Sequence, residues 1–502
     1  MTRTAVLSPA LSKEIRALLP LWGASIAAIA AAFVWREGHR LLLPGPVLAL
    51  FAYVVGTLAI GAQSVGQEYT YRTLPMLLSQ PADRRRMYLL KFVVSAVMLL
   101  TLATLAGTTF AKLWRSESAR FSIVILPVLC GLFLAPLLTM ICRSTLAGMI
   151  LGGTAMASTW FVTLGIAWFG FGIDTEAAKD MILARWTLGM IVLCPVAGLL
   201  GWRRFRELET TDIASPALQL PRWLTDAHGP RRYRSLRALA VKEIHLQQMA
   251  FVITGLHIFG WAVLVLLQRY VPPMATFPVG AVLLLYSIGL AIVIGAFASA
   301  EERQHGTLDW QLLQPTSAWQ QWMVKVGVSL GLALLCGVGL PVVLNQLTPG
   351  EHFRATRISA DLTVLIVLLT ASSIYISSLC RSGVQAIVLS LPIGIAVAYF
   401  VQMTSGALRW VTLQLAGPSM ADIVTGAVAP SSVDQAGVVM LASRAFSVTL
   451  APLLLWFGFV NHRSSERTAG RILAQIAWIA LLMMTGMILV GAGLAVHDVA
   501  SR

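Results

Sequence analysis

Two stretches of the chain decide its architecture, because each is a copy of the other. Residues 61–91 read GAQSVGQEYTYRTLPMLLSQPADRRRMYLLK, and residues 295–325 read GAFASAEERQHGTLDWQLLQPTSAWQQWMVK. They align without a gap at a constant offset of 234 positions. The identical pairs are Gly61/Gly295, Ala62/Ala296, Glu68/Glu302, Thr73/Thr307, Leu74/Leu308, Leu78/Leu312, Gln80/Gln314, Pro81/Pro315 and Lys91/Lys325.

Two further matches flank these stretches in the same order. Lys13-Glu14-Ile15 precedes the first long apolar run, as Lys242-Glu243-Ile244 precedes the seventh. Cys142-Arg143-Ser144 follows the fourth run, as Cys380-Arg381-Ser382 follows the tenth. Agreement at three ordered places indicates a tandem duplication of one unit.

Composition places both copies in a membrane. Of the 502 residues, 57% are hydrophobic and 12% are charged, and the mean hydropathy is +0.77. Soluble domains carry about a quarter charged residues, whereas a bilayer core needs roughly 20 apolar residues per helix. Thirteen runs meet that need, near 17–35, 46–66, 92–111, 121–141, 147–169, 187–202, 249–268, 279–300, 326–346, 361–379, 384–402, 440–460 and 472–496.

The sequence therefore predicts an all-α polytopic membrane protein built from two parallel six-helix repeats. Six is an even number of spans, so both copies enter the membrane in the same direction. The predicted units are a first half (1–202), a cytoplasmic linker with the second elbow helix (203–248), a second half (249–460) and a C-terminal extension (461–502). The thirteenth run is an extra span or, alternatively, an interfacial helix.

Charge distribution predicts the orientation. The chain has 37 Lys and Arg against 22 Asp and Glu, and 24 of the 37 fall in segments that share the side of the N-terminus. Basic loops stay in the cytoplasm, which predicts a cytoplasmic N-terminus in a multi-pass inner (cytoplasmic) membrane protein. Topology, rather than nucleic acid, accounts for the basicity. The arginines of 203–248 anchor the linker by the same rule or, alternatively, contact anionic lipid or a partner.

Two kinds of accessory helix are expected in each copy. The segment before each first span, beginning at Ser8-Pro9 in copy one, is amphipathic and predicts an elbow helix lying in the headgroup plane. Pro81 and Pro315 suit the first turn of a short helix that runs to Lys91 or Lys325. Such a cytosolic helix between two spans can transmit force from a soluble partner.

At these residues the chain resembles the permeases of type-2 ABC exporters. The resemblance lies in Glu302, Gly306-Thr307-Leu308, Leu312-Leu313-Gln314-Pro315-Thr316-Ser317 and Lys325, and equally in Glu68, Thr73-Leu74, Leu77-Leu78-Ser79-Gln80-Pro81-Ala82-Asp83-Arg84 and Lys91. Copy one departs at Arg72, where the family pattern has glycine. Copy two departs at Ala318, where arginine is common.

The resemblance implies a transmembrane subunit of an ATP-driven exporter that docks on separate ABC-type ATPase subunits, two copies in all. This chain has no GxxxxGK[ST] phosphate loop, so ATP is expected on the partner, with no cofactor in this chain. The resemblance assigns docking and coupling to Glu68, Thr73, Leu74, Gln80, Pro81, Lys91, Glu302, Thr307, Leu308, Gln314, Pro315 and Lys325. Glu68 and Glu302 are expected to brace the coupling segment through backbone amides or a nearby basic group.

The main alternative is a twelve-span secondary transporter of the parallel-repeat type. No Asp, Glu, Lys or Arg lies well inside any predicted span, so a charged coupling device is missing. A membrane enzyme is disfavoured, because HExxH and GxSxG are both absent and no catalytic residues are expected. Five cysteines without a CxxC pair indicate neither a disulfide framework nor a metal site.

Polar residues inside the spans are candidates for a substrate path. They are Thr154, Ser158, Asn345, Ser372 and Tyr375. The alternative is ordinary hydrogen bonding between helices, which membrane bundles use widely. Gly148-xxx-Gly152 and Gly327-xxx-Gly331 predict close helix packing. No sequence feature names a substrate, and the family alone implies an amphipathic or lipid-like compound.

Overall fold

The computed structural model confirms an all-α polytopic membrane protein. It describes residues 9–34, 45–71, 73–79, 83–110, 117–171, 176–208, 231–270, 279–304, 306, 316–348, 355–397, 449–464 and 468–482. Within these ranges every regular element is a helix, and ten helices are long and apolar enough to cross a membrane.

The first half contains eight helical segments. They are α1 (Pro9–Val34), α2 (Gly45–Thr70), α3 (Leu74–Leu78), α4 (Arg84–Phe110), α5 (Glu117–Leu129), α6 (Ala135–Cys142), α7 (Thr145–Phe171) and α8 (Glu176–Arg206). A π-helical turn, Cys130–Leu134, joins α5 to α6. Helix α2 is central, because it packs against α1, α4, α6 and α7.

The second half and the C-terminal part supply the remaining helices. They are α9 (Arg231–Leu246), α10 (Gln248–Tyr270), α11 (Val279–Gln304), α12 (Ala318–Leu334), α13 (Leu340–Leu347), α14 (Ala355–Leu379), α15 (Gly383–Val397), α16 (449–462) and α17 (Ala469–Leu482). A second π-helical turn, Leu335–Gly339, joins α12 to α13. Helix α11 is the central helix here and packs most extensively on α14.

The ten candidate spans coincide with the first ten runs predicted from hydropathy. The last three runs are described only in part, by α15, α16 and α17, and their other residues lie outside the described ranges. The predicted linker is also described only in part, because 209–230 lies outside these ranges. The division into four units stays a prediction.

The predicted elbow helices differ between the halves. In the second half, α9 ends at Leu246, and the amide of Gln247 donates to the carbonyl of Glu243 before α10 begins. In the first half, a single helix, α1, runs through the expected bend despite Pro20. The first elbow is therefore not a separate helix, because the segment is continuous with its span, and its placement in the headgroup plane stays a prediction.

The predicted coupling helices also begin elsewhere. Instead of short helices from Pro81 and Pro315, the structure has α4 and α12, which begin at Arg84 and Ala318 and continue into the membrane. The Asp83 carboxylate accepts from the Arg85 amide at 3.1 Å. At the equivalent position, Ser317 forms a capping box with Gln320. These N-caps lie two residues after the prolines and set the helix starts one residue later, because a cap side chain accepts from a first-turn amide that has no partner within the helix.

The two π-helical turns have a local cause. The amide of Ala135 donates to Cys130 and that of Leu340 to Leu335, each five residues back. Pro136 and Pro341 follow immediately, as second residues of α6 and α13. Proline has no N–H and crowds the preceding turn, and a wider turn relieves that clash.

Glycine marks the closest helix approaches. A Cβ on Gly61 of α2 would overlap the carbonyl oxygen of Gly131 in the first π-helical turn. A Cβ on the equivalent Gly295 of α11 would lie 2.6 Å from Ser373 Cβ and 2.7 Å from the Thr370 carbonyl oxygen of α14. Both central helices therefore need glycine at this shared position.

Of the two GxxxG patterns, only the first packs closely. A Cβ on Gly148 would lie 2.8 Å from Thr139 Cα, and one on Gly152 would lie 3.3 Å from a Leu58 methyl carbon. A Cβ on Gly327 or Gly331 would meet no atom within 4 Å. The expectation for this second pattern is wrong, because its spacing places both glycines on a face that no described helix covers.

We expect Gly295→Ala to lower the melting temperature of the purified full-length protein in detergent. Overpacking of this kind costs about 1–3 kcal/mol. Gly331→Ala is the matched control and should be neutral or stabilising by up to about 1 kcal/mol, since alanine is the better helix former. Equal melting temperatures for both variants would contradict the close approach at Gly295.

Candidate functional site

A cluster of buried charges ties three helices together at one end of the first half. The first ion-pair cluster consists of Lys13 and Glu14 on α1, Glu68 at the end of α2, and Lys91 two turns into α4. Lys91 Nζ lies 2.8 Å from Glu14 Oε1 and 3.1 Å from Glu68 Oε1. Lys13 Nζ lies 3.2 Å from the same Glu68 oxygen. In either half, we call the end of the helices that carries an ion-pair cluster the charged end.

The Lys91 ammonium has all three of its donors engaged. Besides the two carboxylates, it donates to the Ser64 carbonyl oxygen at 3.1 Å. Gln67 Nε2 donates to the second oxygen of Glu14 at 2.6 Å. An ammonium has three donors and no acceptor, so this buried charge is fully satisfied by α1 and α2.

The second ion-pair cluster repeats the arrangement with Lys242 and Glu243 on α9, Glu302 on α11 and Lys325 on α12. Lys325 Nζ lies 3.0 Å from Glu243 Oε1 and 2.9 Å from Glu302 Oε2. Lys242 Nζ lies 2.7 Å from Glu302 Oε1. Lys325 also stands two turns into its helix, counted from the Ser317 cap.

Burial separates the two lysines of each cluster. The side chains of Lys91 and Lys325 are 2% and 0% exposed, whereas those of Lys13 and Lys242 are 51% and 35% exposed. The carboxylates of both clusters are buried. Burial raises the pKa of Glu243, and the Lys325 ammonium beside it acts in the opposite direction. Buried ions need partners of opposite charge. Each central lysine therefore neutralises its carboxylates, and the carboxylates neutralise the lysine.

These charges lie near the ends of the spans. The sequence predicts no charged side chain well inside a span, and the helices extend beyond the apolar runs to include the charges at their ends. The candidate spans Pro46–Thr70, Arg84–Phe110, Val282–Gln304 and Ala318–Leu347 include the central glutamate and lysine of each cluster. The charges are buried among helices at the charged end rather than exposed in loops.

Thr73 and Leu74 connect the first cluster to the segment after α2. The Thr73 amide donates to the Glu68 carbonyl oxygen at 3.0 Å, and its hydroxyl donates to the Glu68 carboxylate. Leu74 is buried with Val65, Tyr69, Met140, Phe205 and Leu208. Leu74 therefore fixes α3 to the bundle. Met76 of α3 and Ser79, which follows it, are exposed.

Several predicted coupling residues cannot be placed. Gln80, Pro81, Thr307, Leu308, Gln314 and Pro315 lie outside the described residues. Of the predicted coupling residues, the structure brings together Glu68, Thr73 and Lys91 in the first half, and Glu302 and Lys325 in the second.

The helix starts beside the two clusters differ in chemistry. In the first half, the Arg84 guanidinium at the start of α4 donates to the Arg206 and Leu208 carbonyl oxygens at the end of α8. In the second half, Trp319 at the start of α12 packs edge-on against Phe459 of α16 at 4.9 Å between ring centroids. A polar attachment in one half is thus an aromatic attachment in the other.

The candidate substrate-path residues make helix and interhelix hydrogen bonds. The hydroxyls of Thr154, Ser158 and Ser372 each donate to the carbonyl four residues back in their own helix. The Tyr375 hydroxyl donates to Gln475 Oε1 of α17 at 3.2 Å. Asn345 lies near the end of α13 and is half-buried. Among these contacts, the Tyr375 bond is of the interhelical kind that the alternative interpretation expects, whereas the three hydroxyls bond within their own helices. A substrate path through these residues stays a prediction.

Sequence reasoning missed four members of the clusters: Lys13, Glu14, Lys242 and Glu243. Their signal was present, because Lys-Glu-Ile recurs before the first span of each copy. Their partners stand 77 residues away (Glu14 to Lys91) and 82 residues away (Glu243 to Lys325). Pairing over such distances is visible only once the helices are packed.

Comparison with known proteins found no matching family model, no matching curated protein and no matching solved structure. Among the described residues, no group of three or more His, Cys, Asp or Glu side chains is arranged to hold a metal ion.

We expect Lys325→Met to destabilise the protein strongly, because it leaves Glu243 and Glu302 buried without their shared cation. Breaking a buried pair in this way costs about 3–5 kcal/mol. Lys242→Met, which removes a partly exposed lysine from the same cluster, should cost about 0–1 kcal/mol. Denaturant unfolding in detergent measures both losses.

The same test can be repeated in the first cluster. Lys91→Met should behave like Lys325→Met, and Lys13→Met like Lys242→Met, because the contacts are equivalent. If the buried and the exposed lysine of one cluster gave similar losses of unfolding free energy, burial would not determine how much each lysine contributes to stability.

Proposed function

We propose that this multi-pass membrane protein of transporter-like architecture is the permease subunit of an ATP-driven ABC exporter, with both permease halves in one chain. In this proposal, each charged end faces the cytoplasm of a cell whose inner membrane holds the protein. Two separate ATPase subunits bind ATP and dock there, one beneath each half.

One observation carries the proposal: the same three-helix ion-pair cluster lies beside each repeated segment. In both halves the segment after the second span is flanked by a buried glutamate and a buried lysine, Glu68 and Lys91 or Glu302 and Lys325. A third helix joins through Glu14 or Glu243. Lipid-facing loops need only net basicity, and a buried network of this kind serves no purpose in them.

The clusters suit mechanical coupling. A force applied to the segment before α4 or α12 reaches the lysine two turns into that helix, and the lysine is bonded to the two neighbouring helices. Charge-assisted hydrogen bonds are about twice as strong as neutral ones. The three helices should therefore move together, which converts a local push by the ATPase into displacement of the bundle.

A secondary transporter remains the second candidate, and the structure gives it one favourable observation. Buried carboxylates and lysines in transmembrane segments often mark ion or proton pathways, and both clusters contain them. Their position at the charged end, rather than midway along the helices, favours coupling over transport of an ion. The two functions differ in whether ATP is required.

The orientation is tested by labelling. Single cysteines at Ser79 and Thr316, in a variant whose native cysteines are replaced by serine, should react with a membrane-impermeant maleimide only from the cytoplasmic side. Ser79 is exposed and Thr316 half-buried, and they lie within the repeated stretches 61–91 and 295–325. Labelling of either cysteine in intact cells would refute the proposed topology.

The energy source is tested by purification. The full chain alone should hydrolyse no ATP, because it has no phosphate loop, and an ABC-type ATPase should co-purify with it under mild detergent. ATP hydrolysis by the chain after rigorous removal of partners would contradict this assignment. Transport driven by an ion gradient, with no ATP present, would favour the second candidate.

The coupling role is tested by replacing Glu68 and Glu302 together with alanine. Each substitution removes a charge-assisted hydrogen bond, at a cost on the order of 1.5–3 kcal/mol, but leaves the buried lysine paired with Glu14 or Glu243. The protein should therefore still fold and bind its ATPase. Transport per ATP hydrolysed should fall. Glu207→Ala, which removes an exposed carboxylate at the end of α8, is the control. Wild-type coupling in the double variant would mean that the glutamates only mark the membrane boundary.

A further inference from the structure

The first half carries a concentrated positive patch at its charged end. Its six arginines lie in the first turn of α4 and the last turn of α8, and they are Arg84, Arg85, Arg86, Arg203, Arg204 and Arg206. The Arg84 guanidinium donates to the carbonyl oxygens of Arg206 and Leu208, so the two groups adjoin. Two carboxylates, Asp83 and Glu207, flank them in the sequence, which leaves four positive charges in excess. We call the six residues the arginine patch.

The carboxylates beside the patch do not neutralise it. Asp83 accepts from the backbone amide of Arg85, and within the described ranges none of the six guanidinium groups forms an ion pair. Cations suit the end of α8, which is the negative end of its helix dipole, but the first turn of α4 is a positive end. Helix chemistry therefore does not account for three arginines at the start of α4.

Both groups of arginines continue into exposed apolar surface. Residues three or four positions apart lie on the same face of a helix. At this spacing from Arg86 and Arg203, the exposed apolar residues are Leu89, Val93, Val97 and Leu100 on α4, and Val192, Val196 and Leu199 on α8. An apolar face that ends in arginine matches a phospholipid, whose acyl chains are apolar and whose phosphate is anionic.

Two aromatic side chains mark the depth of the patch. Tyr88 of α4 and Trp202 of α8 are half-buried, with 5.3 Å between their ring centroids. The Arg206 guanidinium lies 5.8 Å from the centroid of the Trp202 ring. Tyrosine and tryptophan are enriched at the membrane–water interface. The arginines, within one turn of these rings, therefore lie at the height of the lipid phosphates.

The described part of the second half has no equivalent patch. The repeat offset of 234 positions places Ala318, Trp319 and Gln320 where the first half has its three arginines of α4. At the end of α16 the described residues include one arginine, Arg463. The patch is thus a property of the first half and not of the repeated unit, so a general need for basic loops does not explain it.

We propose that the arginine patch binds the phosphate-bearing headgroup of an anionic phospholipid, whose acyl chains lie along the exposed apolar faces of α4 and α8. Arg85, Arg86 and Arg203 are exposed and contact the phosphate, because a guanidinium group can donate two parallel hydrogen bonds to phosphate oxygens. Arg84 joins the two helix ends. The lipid is a bound component of the bilayer and not the transported compound. The proposal needs the charged end at headgroup level and does not depend on the ATPase.

Lipid binding by the purified full-length protein in detergent, measured by native mass spectrometry, tests the proposal. The wild type should bind phosphatidylglycerol more tightly than phosphatidylcholine with the same acyl chains. Arg85→Gln with Arg86→Gln should weaken phosphatidylglycerol binding roughly 30-fold, because two charges near an anionic headgroup are lost. The control, Arg381→Gln with Arg463→Gln, removes two exposed arginines from the charged end of the second half and should leave this affinity unchanged.

Two results of this experiment would overturn the proposal. Equal affinity of the wild type for the two lipids would leave an acidic protein surface, and not a lipid, as the occupant of the patch. Equal losses in the two double variants would show that the arginines of α4 have no special part in binding. Glycerol phosphate, which has the phosphate without acyl chains, separates the two sources of an anion. It should not displace phosphatidylglycerol at equal concentration, and displacement would overturn the assignment to a lipid.

A measurement on the wild type locates the lipid without any substitution. A photoreactive phosphatidylglycerol, with its reactive group near the headgroup, should label peptides from 84–100 and 192–206 in preference to those from 318–334 and 449–463. The preference should decrease at high salt, because exposed charges are screened. Equal labelling of both halves would overturn the proposal.

Discussion

A lysine ammonium buried at the end of a membrane helix must be neutralised by neighbouring helices, and this requirement organises both halves of the protein. Lys91 and Lys325 are buried, and each lies within 3.1 Å of a carboxylate on two other helices. The hydrophobic contacts between helices are non-directional, whereas these bonds fix which ends meet. Helix α4 is thereby held to α1 and α2, and α12 is held to α9 and α11.

The rest of the packing supports this arrangement. Gly61 allows the central helix of the first half to approach the first π-helical turn closely, and Gly295 allows the central helix of the second half to approach α14 closely. The caps at Asp83 and Ser317 set where α4 and α12 begin, and each lysine follows two turns later. If these helices began at Pro81 and Pro315 instead, each would be longer on the N-terminal side of its lysine and would extend further from the membrane.

Sequence reasoning predicted the helical class and the first ten spans because a bilayer imposes a simple length and polarity on each span. It also identified Glu68, Lys91, Glu302 and Lys325 by their repetition. It did not pair them with Glu14 and Glu243, because such pairing depends on tertiary packing. It placed the helix starts at prolines although Ser317 and Gln320 have capping-box spacing. It wrongly predicted close helix packing at Gly327 and Gly331, because a spacing pattern does not show whether another helix covers that face.

The measurement that tests this account most directly is a double-mutant cycle between Glu14 and Lys91, on α1 and α4. Unfolding free energies would be compared for the wild type, Glu14→Gln, Lys91→Met and the double variant. We predict that the two single losses are not additive, with an interaction energy of roughly 1–3 kcal/mol, as expected for a buried charge pair in contact. Losses that add to within about 0.5 kcal/mol would show that the two residues act independently and would contradict the account.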